Sequence, residues 1–364
     1  MLKKNNHSKR LVRRRKGIKR HRRQIKSNRK KKEIRRLLQG KSHVRRYKDK
    51  DDISKKFPDY KKVFAPKKLS LVENPEKTIA FVNQLRKCFK RRKKVFVLLS
   101  QVESVGYDAL VVLLSILIRF KSHKIDFNGD FPKNNEALSK ISNSGFFDYL
   151  YKNINNEERY KILKGGSIST HAWKKVDSEL THEVIRDAAQ FIWGKPRTCN
   201  GVQRSLIELM HNTNNHAAYE AEGEKHWFLS VQHIKQDKKV CFSFVDFGVG
   251  IFESLNNKGK ESKWYDWKTP LSKLFTFENN SELLRLILNG ELHKTVTGKP
   301  YRGKGLPGIY DASKRNYFNK LHVISNDVFA NIESVNFKTL SNKFTGTFVY
   351  WEVDANNVNY EGID

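Results

Sequence analysis

Glu208 and Asn212 stand four residues apart in the segment Ser205 to Ala217, S-L-I-E-L-M-H-N-T-N-N-H-A, where Leu206, Leu209 and Met210 recur at helical spacing. On a helix both polar side chains project from one face. A carboxylate placed there can orient or deprotonate a nucleophile, while a neutral carboxamide oxygen reaches a metal held by nucleotide phosphates. A second segment, Phe242 to Ile251, reads F-S-F-V-D-F-G-V-G-I: an apolar run that ends in Asp246 and continues into Gly248 and Gly250. An aspartate at a strand's end can accept a hydrogen bond from an adenine amino group, and the glycines let backbone approach a flat base. A third segment, Arg302 to Tyr310, R-G-K-G-L-P-G-I-Y, precedes a helix through Asp311 to Arg315. Glycine-rich backbone opening onto a helix offers N–H groups and the positive end of a dipole to phosphates. Lys304 adds a mobile positive charge. Taken singly, the second and third patterns also describe ordinary turns at strand ends and before helices.

In order and spacing the three segments together resemble the N, G1 and G2 boxes of the GHKL superfamily, the ATP-binding fold of histidine-kinase catalytic domains and anti-sigma-factor serine kinases. The resemblance covers residues 180–354, and Gly346-Thr347 in F-T-G-T-F-V-Y-W-E-V is similar to the closing G-T segment of that fold. It implies ATP and Mg2+ as cofactors, Glu208 as catalytic base, Asn212 as magnesium ligand and Asp246 as adenine contact. Gly248, Gly250, Gly303, Gly305 and Gly308 would be the backbone lining the nucleotide, with Lys304 beside it. Asn215 and His216 would face phosphate, and Thr347 would lie near adenine. Residues 252–301 would form the lid, a polar insert with a short helix at Ser281 to Leu288; its Trp264, Tyr265 and Trp267 are expected to pack into the core rather than close over the base.

These residues need a scaffold, and the pattern upstream is α/β. Glu76 to Phe89 reads as a helix, Val95 to Leu99 as a buried strand, Tyr107 to Phe120 as a strongly apolar helix, Lys124 to Asn128 as a strand and Glu136 to Ile141 as a short helix. With the turn V-E-S-V-G and the later S-G-F-F, residues 75–152 resemble the STAS domain of anti-sigma-factor antagonists. That resemblance implies Ser104 as a phospho-acceptor, although Glu103 and Val105 depart from the D-S-S-G or D-S-T-G pattern, and capping of the next helix would also explain a serine there. Residues 153–180 read as a polar connector around Gly165-Gly166, and Thr181 to Trp193 as the first helix of the second domain. The expected fold is two α/β sandwich domains, the second a mixed sheet with helices on one face, behind a basic and mostly disordered arm over residues 1–55.

The arm carries most of the charge: residues 1–50 hold 24 Lys and Arg against 2 acidic residues, out of a net +34 for the 364-residue chain. Runs such as Arg13-Arg14-Arg15-Lys16, with Arg22 and Arg23, would neutralise phosphates and bind nucleic acid in a salt-sensitive way, or else serve as a solubilising tail. Cys88, Cys199 and Cys241 are far apart and suggest neither a disulfide framework nor a zinc site, which fits a reducing cytoplasm. The longest apolar stretch, Ala109 to Ile118, falls short of the ~20 residues of a membrane span, and no signal segment is expected. His182, followed by Glu183, reads as helix surface rather than as the acceptor of a sensor kinase. The expectation is therefore a Mg-ATP-binding regulator that acts as an ATPase or serine kinase coupled to a fused STAS-like module, which would carry a protein partner. An ATP-driven switch on DNA or RNA, or a regulator without turnover, remains open. A homodimer is also open, although no heptad seam announces one.

Overall fold

The computed structural model describes Gln24, Asn28 and residues 56–151, 168–172, 176–216, 227–248, 250–252, 280–289, 305–357 and 361–362. The chain divides into two units, Met1–Pro58 and Asp59–Asp364, and the strands, with the helices that pack on them, belong to the second. The arginines and lysine expected to bind nucleic acid, Arg13 to Lys16 with Arg22 and Arg23, lie outside the described residues. So do Trp264, Tyr265 and Trp267.

The first half of the second unit builds a small parallel sheet with helices. Strand β1 (Lys61–Phe64), short strand β2 (Lys68–Leu69), helix α1 (Pro75–Lys90), β3 (Val95–Leu98), β4 (Ser104–Val105), α2 (Tyr107–Ser122) and β5 (Phe127–Gly129) follow in order, then α3 (Asn135–Asn143) and α4 (Phe146–Tyr151). β3 lies centrally, parallel to β1 on one side and β5 on the other, and is buried along its length, as its run Val-Phe-Val-Leu predicts. Helix α1 starts with Pro75 in its first turn, where a missing N–H costs nothing, and buries Ile79, Phe81, Val82 and Leu85. Residues 59–74, outside the span expected for the first domain, supply β1 and β2.

The second half contains β6 (Ile168–Ala172), α5 (Ser178–Trp193), β7 (Arg197–Thr198), α6 (Asn200–His216), β8 (Trp227–Ile234), β9 (Lys239–Asp246), α7 (Asn280–Leu288), α8 (Gly305–Lys314), β10 (Asn319–Asn331), β11 (Asn336–Val353) and β12 (Glu361–Gly362). Its main sheet runs β10-β11-β9-β8-β6. Every described pair in it is antiparallel, so the sheet departs from the mixed one expected. β6 falls within the stretch read as a connector; it pairs with β8, Ile168 opposite Val231, and completes an edge.

Both faces of this sheet are buried, one by helices of the second half and the other by helices of the first half. Along β9, Val240, Phe242 and Phe244 enter one core with Val184 and Ile185 of α5, Leu206, Leu209 and Met210 of α6, Leu284 of α7 and Ile309 of α8. The alternate residues Cys241, Val245 and Phe247 enter a second core with Phe228, Phe344 and Phe348 and with the helices α1 and α2. Period-two alternation sends successive side chains to opposite faces. A strand with apolar residues at both parities therefore demands cover on both, and α1 and α2 provide it on the second, α1 along β11 and α2 along β8 and β9. Each fully buried Phe on that face contributes roughly 1.5–3 kcal/mol by removal from water.

Polar contacts fix the register of α1 on β11. Glu76 accepts from the Ser341 N–H (2.9 Å) and the Ser341 hydroxyl (2.8 Å). Asn83 donates to the Lys343 carbonyl at 2.8 Å and Arg86 to the Thr345 carbonyl at 2.6 Å. One face of the helix thus meets alternate residues of the strand. No described helix is long and apolar enough to cross a membrane.

Candidate functional site

Asp246 ends β9 between two neighbours, with Thr347 of β11 and Trp227 of β8 directly opposite it. It shares strand parity with Phe242 and Phe244, on the side that faces α6. The carboxylate is buried, and its Oδ1 accepts the Gly248 N–H at 2.7 Å. Burial pushes its carboxyl up to about 6, while the hydrogen bonds from Gly248 and Thr347 and the Arg86 charge pull the other way. A carboxylate offers about four lone-pair sites, so these partners leave it able to accept from a further donor.

The chain after Asp246 is strapped to β10. The Ile251 N–H donates to the Ser325 hydroxyl at 2.9 Å, and that hydroxyl donates to the Gly346 carbonyl at 3.1 Å. Phe252 N–H reaches Asn326 Oδ1 at 3.3 Å. Gly250 has φ +86°, and a Cβ there would run into the Asn326 carboxamide. Gly346, at φ +108°, brings its Cα against the Asp246 carbonyl, where a Cβ would collide with backbone. Both positions need glycine for two reasons at once, a left-handed backbone and the absence of a side chain.

Glu208 and Asn212 lie one turn apart on α6, both partly buried. They flank the stripe Leu206, Leu209, Met210 that anchors the helix to the sheet. Neither makes a side-chain hydrogen bond or ion pair among the described residues. α8 packs along α6. Gly305 and Gly308 lie inside the first turns of α8, with Pro307 between them. Pro307 is tolerated there because the first-turn N–H groups have no helical acceptor. A Cβ on Gly308 would meet nothing within 4 Å among the described residues. Gly303 and Lys304 lie outside the described residues, as do the side chains of Asn215 and His216 in the last turn of α6.

Ser104 sits in β4, exposed, with its N–H on the Lys67 carbonyl at 3.2 Å. The N-cap of α2 is Gly106, without a side-chain cap, so capping does not account for Ser104. The buried acid nearby is Asp108, which accepts from Ser70 Oγ at 2.8 Å and from the Leu71 and Val72 N–H groups, tying the segment before α1 to the start of α2. His182 lies on α5, partly exposed.

One participant has no sequence signal. Arg86, 160 residues before Asp246 in the chain, places its guanidinium over the Phe247 ring at 4.9 Å and within electrostatic reach of Asp246. Ser325 and Asn326, which hold the turn after Asp246, are equally silent in sequence. Among known proteins, no family description matches the chain, and no curated protein matches it by sequence.

Proposed function

We propose that the second half of the Asp59–Asp364 unit is a Mg-ATP site of the GHKL type, serving a regulatory ATPase or serine-kinase switch fused to a STAS-like module. The observation that carries this reading is the buried Asp246, paired with Thr347 and bordered by glycines that admit no side chain, at the end of the sheet covered on that side by α6, which bears Glu208 and Asn212. A desolvated carboxylate that keeps free acceptor capacity suits an adenine amino donor. Closely packed backbone at Gly346 and Gly250 suits a flat base. The N-terminal turns of α8, where a Cβ on Gly308 would meet nothing among the described residues, suit the phosphates. Magnesium would be held by the Asn212 carboxamide oxygen together with those phosphates, and would supply charge neutralisation for phosphoryl transfer.

In this account Glu208 takes the proton of the attacking hydroxyl, whose oxygen bonds the terminal phosphorus as ADP departs. With water the product is free phosphate; with a serine it is a phosphoserine. Ser104 is exposed and uncommitted to a cap, which supports it as an acceptor. The contacts from Glu76, Asn83 and Arg86 to β11 favour a switch in which events near Thr347 are felt by the STAS-like segment, since α1 belongs to that segment.

The test is incubation with magnesium and γ-labelled ATP, following both free phosphate and label on the chain, with Glu208→Ala beside it. Label on Ser104 that vanishes in the variant establishes the kinase, and free phosphate without label establishes the ATPase. Turnover that survives Glu208→Ala at the parent rate removes the base assignment, because a positioned base contributes about 10²–10⁴-fold.

A further inference from the structure

The C-terminal half of α1 carries a cationic surface on the Asp59–Asp364 unit, separate in sequence from the basic arm. Between it and the β10–β11 side of the main sheet lies an open hollow of about 320 Å³, lined by Arg86, Lys87, Lys90, Arg91 and Lys343. The remaining lining residues, Asn83 and Thr345, are neutral and polar. Among the described residues, no carboxylate and no apolar side chain lines it. Lys87, Lys90, Arg91 and Lys343 are exposed, and the charge continues through exposed Arg92, Lys93 and Lys94 in the turn after the helix. Arg86 differs from them: it is half-buried, bonded to the Thr345 carbonyl and answered in part by Asp246, so it anchors the floor while the others face outward.

Concentrating like charges is unfavourable unless an anion answers them. One phosphate needs one or two cations, whereas four exposed ones on a hollow call for several anionic groups. Successive turns of α1 set cationic tiers about 5.4 Å apart, a repeat that a chain of linked phosphates can follow. A lipid surface is matched by a protruding face with aromatic or aliphatic anchors, and this face is concave and has none. We infer that the hollow formed by Lys87, Lys90, Arg91 and Lys343 binds the phosphodiester backbone of nucleic acid. Contacts of this kind read charge and not base identity, so the site is sequence-independent. It rests on no part of the nucleotide-site reading.

The full-length chain is titrated into labelled single-stranded RNA and duplex DNA of about 20 nucleotides, between about 50 and 200 mM salt. The variant Lys87→Glu/Lys90→Glu/Arg91→Glu is compared with Lys195→Glu/Lys235→Glu/Lys338→Glu, which makes the same charge change at exposed lysines elsewhere on the unit. The expected result for at least one nucleic acid is a loss of affinity of roughly tenfold or more in the first variant, with the slope of log affinity against log salt reduced by about 2. The second variant keeps the parent affinity within about threefold. Which nucleic acid responds tells strand from duplex. Equal loss in both variants assigns binding to net charge and overturns the site, and undiminished binding in both does so as well. Loss confined to binding of phosphatidylserine vesicles, with nucleic-acid affinity unchanged, overturns it in favour of a membrane surface. Melting curves that match the parent confirm that the exposed substitutions leave the fold intact.

Discussion

Asp246→Asn should gain stability on the parent as pH rises and bind nucleotide worse, and the size of the first effect follows from the site. In the folded chain the Asp246 carboxyl holds its proton up to about pH 6, above the ordinary aspartate range, chiefly because burial strips water from the charged form. The fold therefore gains from this group at low pH and loses stability as pH rises through about 6, once the native carboxyl must ionise in place. The difference from an ordinary aspartate, at 1.36 kcal/mol per pH unit, makes the ionised group cost on the order of 3 kcal/mol at pH 8. An asparagine is neutral at every pH and keeps an oxygen to accept from the Gly248 N–H, while its NH2 cannot accept from Thr347, a cost that does not vary with pH. The melting temperature of Asp246→Asn relative to the parent should accordingly be about 5 °C higher at pH 8 than near pH 4. Differential scanning calorimetry at a series of pH values measures this. A difference between variant and parent that stays the same from pH 4 to pH 8 refutes the desolvated-carboxylate account. On the proposed assignment the adenine amino group loses its charged acceptor in the same variant, and affinity for Mg-ATP should fall by about 1.5–3 kcal/mol, roughly 10–150-fold.

Gly346→Ala combines a φ of +108° with a Cβ aimed at the Asp246 backbone, so urea unfolding should show a loss of about 2 kcal/mol or more and nucleotide affinity should fall with it. Phe344→Ala removes a fully buried ring from the core that α1 and α2 share with the main sheet; a loss of about 3–5 kcal/mol is expected, and a loss below about 1 would mean that the helices do not cover that face in solution. Burial pushes the Cys241 thiol up to about 11, so alkylation at pH 8 should be negligible in the native protein and complete in denaturant, read by mass spectrometry.

Elements whose apolar residues keep one period are legible in the sequence. α2, α6 and β3 stand close to where their patterns put them, and the helix expected at Ser281 to Leu288 is α7, starting one residue earlier. β1 is hard to read because Lys61-Lys62-Val63-Phe64 is short and half charged, and β6 because Ser169, Thr170 and His171 sit in a polar, glycine-flanked stretch. Both strands exist through their partners, β1 by pairing with β3 and β6 by pairing with β8. Tertiary pairing of that sort leaves little trace in a window of four or five residues. The unbroken apolar run Phe348-Val349-Tyr350-Trp351 foreshadows burial of the second face of the main sheet, but carries no sign of what covers it. In the candidate site, the glycines and Asp246 announce themselves by type and spacing. Arg86 and Ser325 do not, because a lone arginine on a helix and a lone serine on a strand carry no pattern until the fold brings them to the same turn.

The central claim is that Asp246 accepts from adenine, and nucleotide discrimination tests it most directly. Calorimetric titration of the full chain with Mg-ATP and with Mg-GTP should give saturable binding of ATP and binding of GTP weaker by roughly tenfold or more, because guanine presents a carbonyl oxygen where adenine presents its amino group. Equal affinity for the two, or no binding of ATP at all, contradicts the account.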